Sequence, residues 1–191
     1  MIARESLLSL EAYAKARPEW KRRILEHKKR RTVHVGEHVT LQFEDETLIR
    51  YQVQEMLHAE RIFEEDGIRG ELEAYTPLVP DGSNWKATMF VEYPEVEERR
   101  RMLQLLKGVE RGVWVQVDEL ERVHAIADED LERETDEKTS AVHFLRFELS
   151  EAMKQKLRQG APVKLGVEHP QYTASVQLAP EVRDSLAGDL R

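Results

Sequence analysis

The chain has 191 residues, enough for one domain with a real hydrophobic core, and its 40% hydrophobic and 35% charged content fits a folded protein with a heavily charged surface. It contains no cysteine, which excludes disulfides, zinc knuckles, thiolate nucleophiles and protein-ligated iron–sulfur clusters. The formal net charge of −8 is unevenly spread: "KRRILEHKKRR", Lys21 to Arg31, sets seven Lys/Arg against Glu26, so the rest of the chain sums to about −14.

The N-terminal stretch "SLLSLEAYAKA" reads as a short helix with Ser6 or Ser9 as its N-cap. Pro18 suits a first helical turn, so "PEWKRRILEHKKRR" is expected as a second helix with an apolar stripe of Trp20, Ile24 and His27. "TVHVGEHVTLQF" reads as a hairpin. A three-residue loop, Gly36 to His38, pairs Val35 with Val39 and Val33 with Leu41 and gathers the apolar residues on one face, so burial selects that register. His38 then lies in the turn and His34 on the polar face.

A long helix is expected from about Glu46 to Glu65, stopped near Gly67, with a loop and a Pro-Asp-Gly turn after it. "NWKATMFVEY" alternates as a strand, and "PEVEERRRMLQLLKG" reads as a helix begun by Pro94 and ended by Gly108. "GVWVQV", "RVHAIA" and "AVHFLRFEL" are strands, and "SEAMKQKLRQG" is a helix capped by Ser150. "PVKLGVEHPQYTASVQL" forms two strands around His169-Pro170, and "PEVRDSLAGDL" is a terminal helix. Strands arriving in hairpin pairs between helices predict an α+β fold with a mostly antiparallel sheet packed by a long helix and shorter ones. A single domain is expected, with a helical segment over about 5–31 and an α+β body over about 32–191. No apolar run spans a bilayer and no apolar leader opens the chain, so a cytoplasmic protein without a membrane partner is expected.

Several residues are candidates for chemistry. Glu55-x-x-His58 places a carboxylate and an imidazole one turn apart, the spacing of di-iron ligands in four-helix bundles. A second match at Glu121-x-x-His124 lies in or beside a strand, where residues three apart point to opposite faces and cannot form the other arm. A surface Glu–His pair is the favoured reading, with iron as the lesser alternative. At 100° per residue Ile49, Val53, Met56, Leu57 and Phe63 share one face, and Glu60 falls among them. Glu60 is therefore the candidate buried carboxylate; it is paired with an arginine such as Arg50 or Arg61, escapes at the edge of the stripe, or is available for acid–base or ligand-binding chemistry.

His143 shares a strand face with Leu145, Phe147 and Leu149 and reads as a hydrogen-bonded core histidine. "DEDLERETDE", with seven acids between Asp128 and Glu137, fails the EF-hand pattern and reads as a solvated face or a docking surface for a basic partner. The cations Lys28, Lys29, Arg30 and Arg31 read first as a solvated helix end meeting the C-terminal dipole, and are the candidate anion- or partner-binding tract. No phosphate loop, nucleic-acid motif or nucleophile elbow accompanies them, and an acidic chain with one basic patch is not the usual nucleic-acid binder.

The segments "EHKKRR", "IRYQVQEMLHAERIFEE", "LVPDGSNWKATMFVEYPEVEERR", "AIADEDLERETDEKTSAVHFLRFELS" and "GVEHPQY" resemble an uncharacterised bacterial family, domain of unknown function 3501, over nearly the whole chain. The resemblance implies a protein of this length without an established activity. It also implies genes often placed beside those for rubrerythrin and a heterodisulfide-reductase-type iron–sulfur oxidoreductase. It supplies no catalytic residue. The expectation is a non-catalytic accessory or interaction protein of a peroxide-defence or iron-dependent redox system, with those two proteins as partners. The alternatives are a metal-binding protein or enzyme with a site near Glu55, His58 and Glu60, and a nucleic-acid binder using Lys28 to Arg31.

Overall fold

The computed structural model describes residues 2–127 and 138–191. The acidic tract falls in residues 128–137 and lies outside them. Among the described residues the chain folds into six α-helices and nine β-strands arranged as two antiparallel sheets, an α+β architecture. By its internal contacts it divides into two compact units: Met1–Arg30 with Glu44–Pro80, and Arg31–Phe43 with Asp81–Arg191.

The first unit is helical. Helix α1 (Leu10–Lys29) starts at Ser9, whose hydroxyl accepts the Ala12 N–H at 3.2 Å. It runs without a break through Pro18, where the sequence suggests a second start; one continuous helix replaces the expected two. Helix α2 (Glu46–Glu60) is capped by Asp45, which accepts the Leu48 N–H at 2.8 Å. It ends five residues earlier than expected, at Arg61, in the left-handed conformation with φ 55°. The N–H groups of Arg61 and Ile62 both turn back to the Leu57 carbonyl, the αL closure for which glycine is the usual residue. Gly67, the expected stop, lies inside helix α3 (Glu65–Tyr75). Ile49, Val53 and Leu57 pack with Ile2, Leu7 and Ile68 in the core of this unit.

The second unit carries both sheets. One runs β1 (Thr32–His34), β2 (Val39–Phe43), β3 (Asn84–Val91), β7 (Val142–Glu148) and β6 (Ile126–Ala127) in that spatial order. The other runs β5 (Val123–His124), β4 (Val113–Val117), β8 (Val163–His169) and β9 (Tyr172–Gln177). The hairpin adopts the register that burial selects: Val33 faces Leu41, and the Val35 N–H donates to the Val39 carbonyl at 2.8 Å. "VHAIA" is not one strand, because Val123–His124 pairs with β4 and Ile126–Ala127 with β7. Helices α4 (Val96–Leu105), α5 (Glu151–Arg158) and α6 (Pro180–Ala187) complete the unit, with Ser150 capping α5. Inward residues of both sheets, among them Phe43, Trp85, Phe147, Val115 and Leu165, form one hydrophobic core.

Candidate functional site

The helical unit holds a cleft of about 290 Å³ lined by Lys28 of α1, Glu44 at the entry to α2, and Leu48, Tyr51, Glu55 and Met56 of α2. Glu55 is its most tightly held group. Arg17 Nε donates to Glu55 Oε1 at 2.7 Å and Nη2 to Oε2 at 2.8 Å, a bidentate fork, and the Tyr13 hydroxyl donates to Oε1 as well. The Arg17 guanidinium holds the Glu55 carboxyl down at about 2, with Tyr13 adding to the effect. Tyr13 is fully buried, and burial followed by its bond to Glu55 pushes its phenol up. Tyr51 is pushed up by burial and then by the Glu55 charge. Both phenols therefore stay protonated at neutral pH and can donate hydrogen bonds, and Glu55 is an ionised anchor with little tendency to accept a proton.

His58 meets Tyr13 edge-on, with ring centroids 5.8 Å apart, while Trp20 packs on Tyr13 at 5.6 Å. The Glu55-x-x-His58 pair thus belongs to an aromatic and ionic network between α1 and α2. Among the described residues no group of three or more His, Asp or Glu stands where it could hold a metal ion.

Glu60 is not a buried carboxylate: it is exposed at the last residue of α2. Its place among core positions assumed a helix continuing through Phe63. The helix ends before that residue, and Phe63 is 71% exposed. The buried polar residue of α2 is Gln54, fully enclosed, whose amide accepts the Leu8 N–H at 2.9 Å and donates to the Leu8 carbonyl at 3.1 Å. Its spacing from Ile49, Val53 and Leu57 places it beside the stripe, but nothing local names its partner.

The basic tract separates. Lys29 and Arg30 are exposed, and Lys28 is half-buried beside the cleft. Arg31 cannot bind an external anion, since it is 1% exposed inside the α+β unit. There it donates to the Phe43 carbonyl at 3.1 Å and forms an ion pair with Asp189. The reason is the ladder: the Phe43 N–H donates to the Arg31 carbonyl, so the residue already belongs to the β1–β2 pairing.

What remains on α1 is an exposed cationic face. Arg22 and Arg23 pair with Glu19, and Lys29 with Glu26, in exposed intrahelical contacts. Leu25 lies one turn from both Lys21 and Lys29 and is 54% exposed.

A second polar cluster, in the α+β unit, escapes sequence reasoning. His38 stacks on Tyr93 at 3.9 Å and donates from Nδ1 to the Glu92 carbonyl at 2.9 Å. The Tyr172 hydroxyl accepts the His38 N–H at 3.1 Å and donates to the Val35 carbonyl at 2.5 Å. Thr40 donates to Glu92 Oε2 at 2.5 Å, so His34 Nδ1, 2.9 Å away, is the donor to Thr40 Oγ1. The His34–Thr40 pairing follows from the hairpin register, but Glu92, Tyr93 and Tyr172 come from far along the chain, and no local spacing could have found them. His143 is the core histidine expected, 1% exposed and bonded to Thr139 and the Ser140 carbonyl at 3.1 and 3.0 Å.

A family model described as protein of unknown function (DUF3501) matches residues 1–190. A crystal structure of a protein of unknown function from Burkholderia pseudomallei K96243, at 1.90 Å resolution, is 58% identical to this chain. The match covers 100% of this chain and 99% of that one, with a TM-score of 0.94. No curated protein matches.

Proposed function

The chain belongs to the DUF3501 family of proteins of unknown function, and we propose that it is a non-catalytic interaction protein that docks an acidic partner on the exposed face of α1. The observation that carries this reading is Leu25, a large apolar side chain 54% exposed between Lys21 and Lys29. Cations steer an acidic partner and set the on-rate, while an apolar anchor among them supplies a desolvated contact. The exposed ion pairs to Glu19 and Glu26 are each worth little in water, about 0.2–1 kcal/mol, so exchanging them for a partner's carboxylates costs little. An apolar anchor favours a protein partner over a phosphate backbone.

In the finer form of this reading the partner belongs to a cytoplasmic peroxide-defence or iron-dependent redox system, with rubrerythrin and the iron–sulfur oxidoreductase as its two members. Its support is the gene neighbourhood implied by the resemblance. The test is co-expression with each of these proteins and capture at low salt. Association is expected to weaken steeply as salt rises and to be lost in Leu25→Glu and in Lys21→Glu/Lys29→Glu. No association of the unaltered chain with either protein at low salt overturns the redox assignment. Capture insensitive to all three substitutions overturns the α1 face.

A further inference from the structure

Strand β9 (Tyr172–Gln177) closes one sheet and is paired to β8 on one side only. The other sheet edges among the described residues are short, with β1 of three residues and β5 and β6 of two each. Shortness protects an edge; long edges are ordinarily guarded by lysine, proline, a bulge or a covering segment. β9 reads Tyr-Thr-Ala-Ser-Val-Gln, with no charge and no proline. Its ladder with β8 is unbroken from Tyr172↔His169 to Gln177↔Lys164, so no bulge bends it away.

The ladder also identifies which backbone groups face outward. The Leu178 N–H donates to the Val163 carbonyl at 2.8 Å, and hydrogen-bonded positions alternate along an antiparallel pair. Val176, Ala174 and Tyr172 therefore bond to β8, while the N–H and C=O groups of Thr173, Ser175 and Gln177 point away from it. The side chains of these three residues are exposed, and no described residue hydrogen-bonds to their outward backbone groups.

We propose that β9 is a homodimer interface, in which two copies of the chain pair antiparallel along this edge about Ser175 and join two four-stranded sheets into one. In that register Ser175 faces Ser175 of the second copy, Thr173 faces its Gln177, and each outward N–H meets an outward carbonyl. Self-pairing is the occupant that fits. The strand is neutral, so symmetry brings no like charges together despite the net charge of −8. A foreign peptide would draw its specificity from pockets beside the edge, and the outward positions here carry only Thr, Ser and Gln. The inference rests on the α+β unit and is independent of the α1 docking face.

The experiment is multi-angle light scattering of the full chain across micromolar to submillimolar concentrations, with hydrogen exchange read at individual amides. The expected mass is twice the 22.3 kDa of one chain, with the Thr173, Ser175 and Gln177 amides protected. Ser175→Lys places two ammonium groups on the symmetry axis, leaves the bonds to β8 intact, and is expected to give a folded monomer with those amides exposed. Thr173→Lys/Gln177→Glu is expected to remain dimeric, because antiparallel pairing sets each new lysine opposite a glutamate. Thr173→Lys/Gln177→Lys is expected to dissociate. A monomer at every concentration, a dimer that survives Ser175→Lys, or fast exchange at the three outward amides in the dimer overturns the proposal.

Discussion

Glu55 shows how far a residue's role depends on its partners. Folding lowers its carboxyl from 4.5 to about 2, so the folded state binds this proton more weakly than the unfolded chain. The stabilisation is complete above the unfolded value and drains away as pH falls from about 4.5 towards 2. Glu55→Gln is expected to lose about 1–2 kcal/mol at neutral pH, the partial exposure of Arg17 holding the figure down. Urea denaturation should show that gap closing progressively below pH 4.5. Gln54→Leu removes both bonds to the Leu8 backbone and is expected to cost about 1–3 kcal/mol by the same measurement. The sequence pointed at Glu60 rather than Gln54 because a helical wheel reports angle and not where the helix stops.

Elements were legible where their signals were local. Ser9 and Ser150 cap the helices they precede, and the hairpin register follows from placing Val33, Val35, Val39, Leu41 and Phe43 on one face. Tertiary packing then added a constraint on that turn. Gly36 has φ 76°, and a Cβ there would lie 2.4 Å from the Tyr172 hydroxyl. Gly36→Ala is therefore expected to destabilise the protein by about 1–3 kcal/mol, read as a lowered melting temperature. A similar close approach holds Gly166, where a Cβ would stand 2.2 Å from the Trp114 ring, beneath the Arg122 guanidinium at 3.8 Å. The boundaries that sequence placed wrongly share a cause. Pro18 lies inside a helix that continues through it, and α2 closes at an arginine in a conformation that glycine usually signals.

For the whole chain, the basic tract divides between surface and core. Arg31 ties the start of β1 to the C-terminal end of the chain through Asp189 and the Ser185 carbonyl, and Trp85 Nε1 donates to the Leu186 carbonyl at 2.9 Å. Arg31→Ala removes the buried guanidinium together with its ion pair to Asp189 and its bond to the Phe43 carbonyl, and is expected to cost about 3–5 kcal/mol. Lys29→Ala, at an exposed intrahelical pair, should stay within about 0.5 kcal/mol. Chemical denaturation of the two variants separates a structural cation from a surface one two positions before it. The units themselves are interleaved in sequence: each is built from two segments, and β1 and β2 separate α1 from α2.

The sequence by itself determined the α+β class, the antiparallel pairing, most element positions and the charge asymmetry. All of these follow from periodicity, capping residues and composition, which act over a few neighbouring residues. Only the tertiary structure decided that Glu55 is an anchored ion, that Gln54 and Arg31 are enclosed, and that His38 meets Tyr93 and Tyr172. Burial and pairing are set by residues tens of positions away, and the cost of desolvating a polar group is known only once its partner is in place.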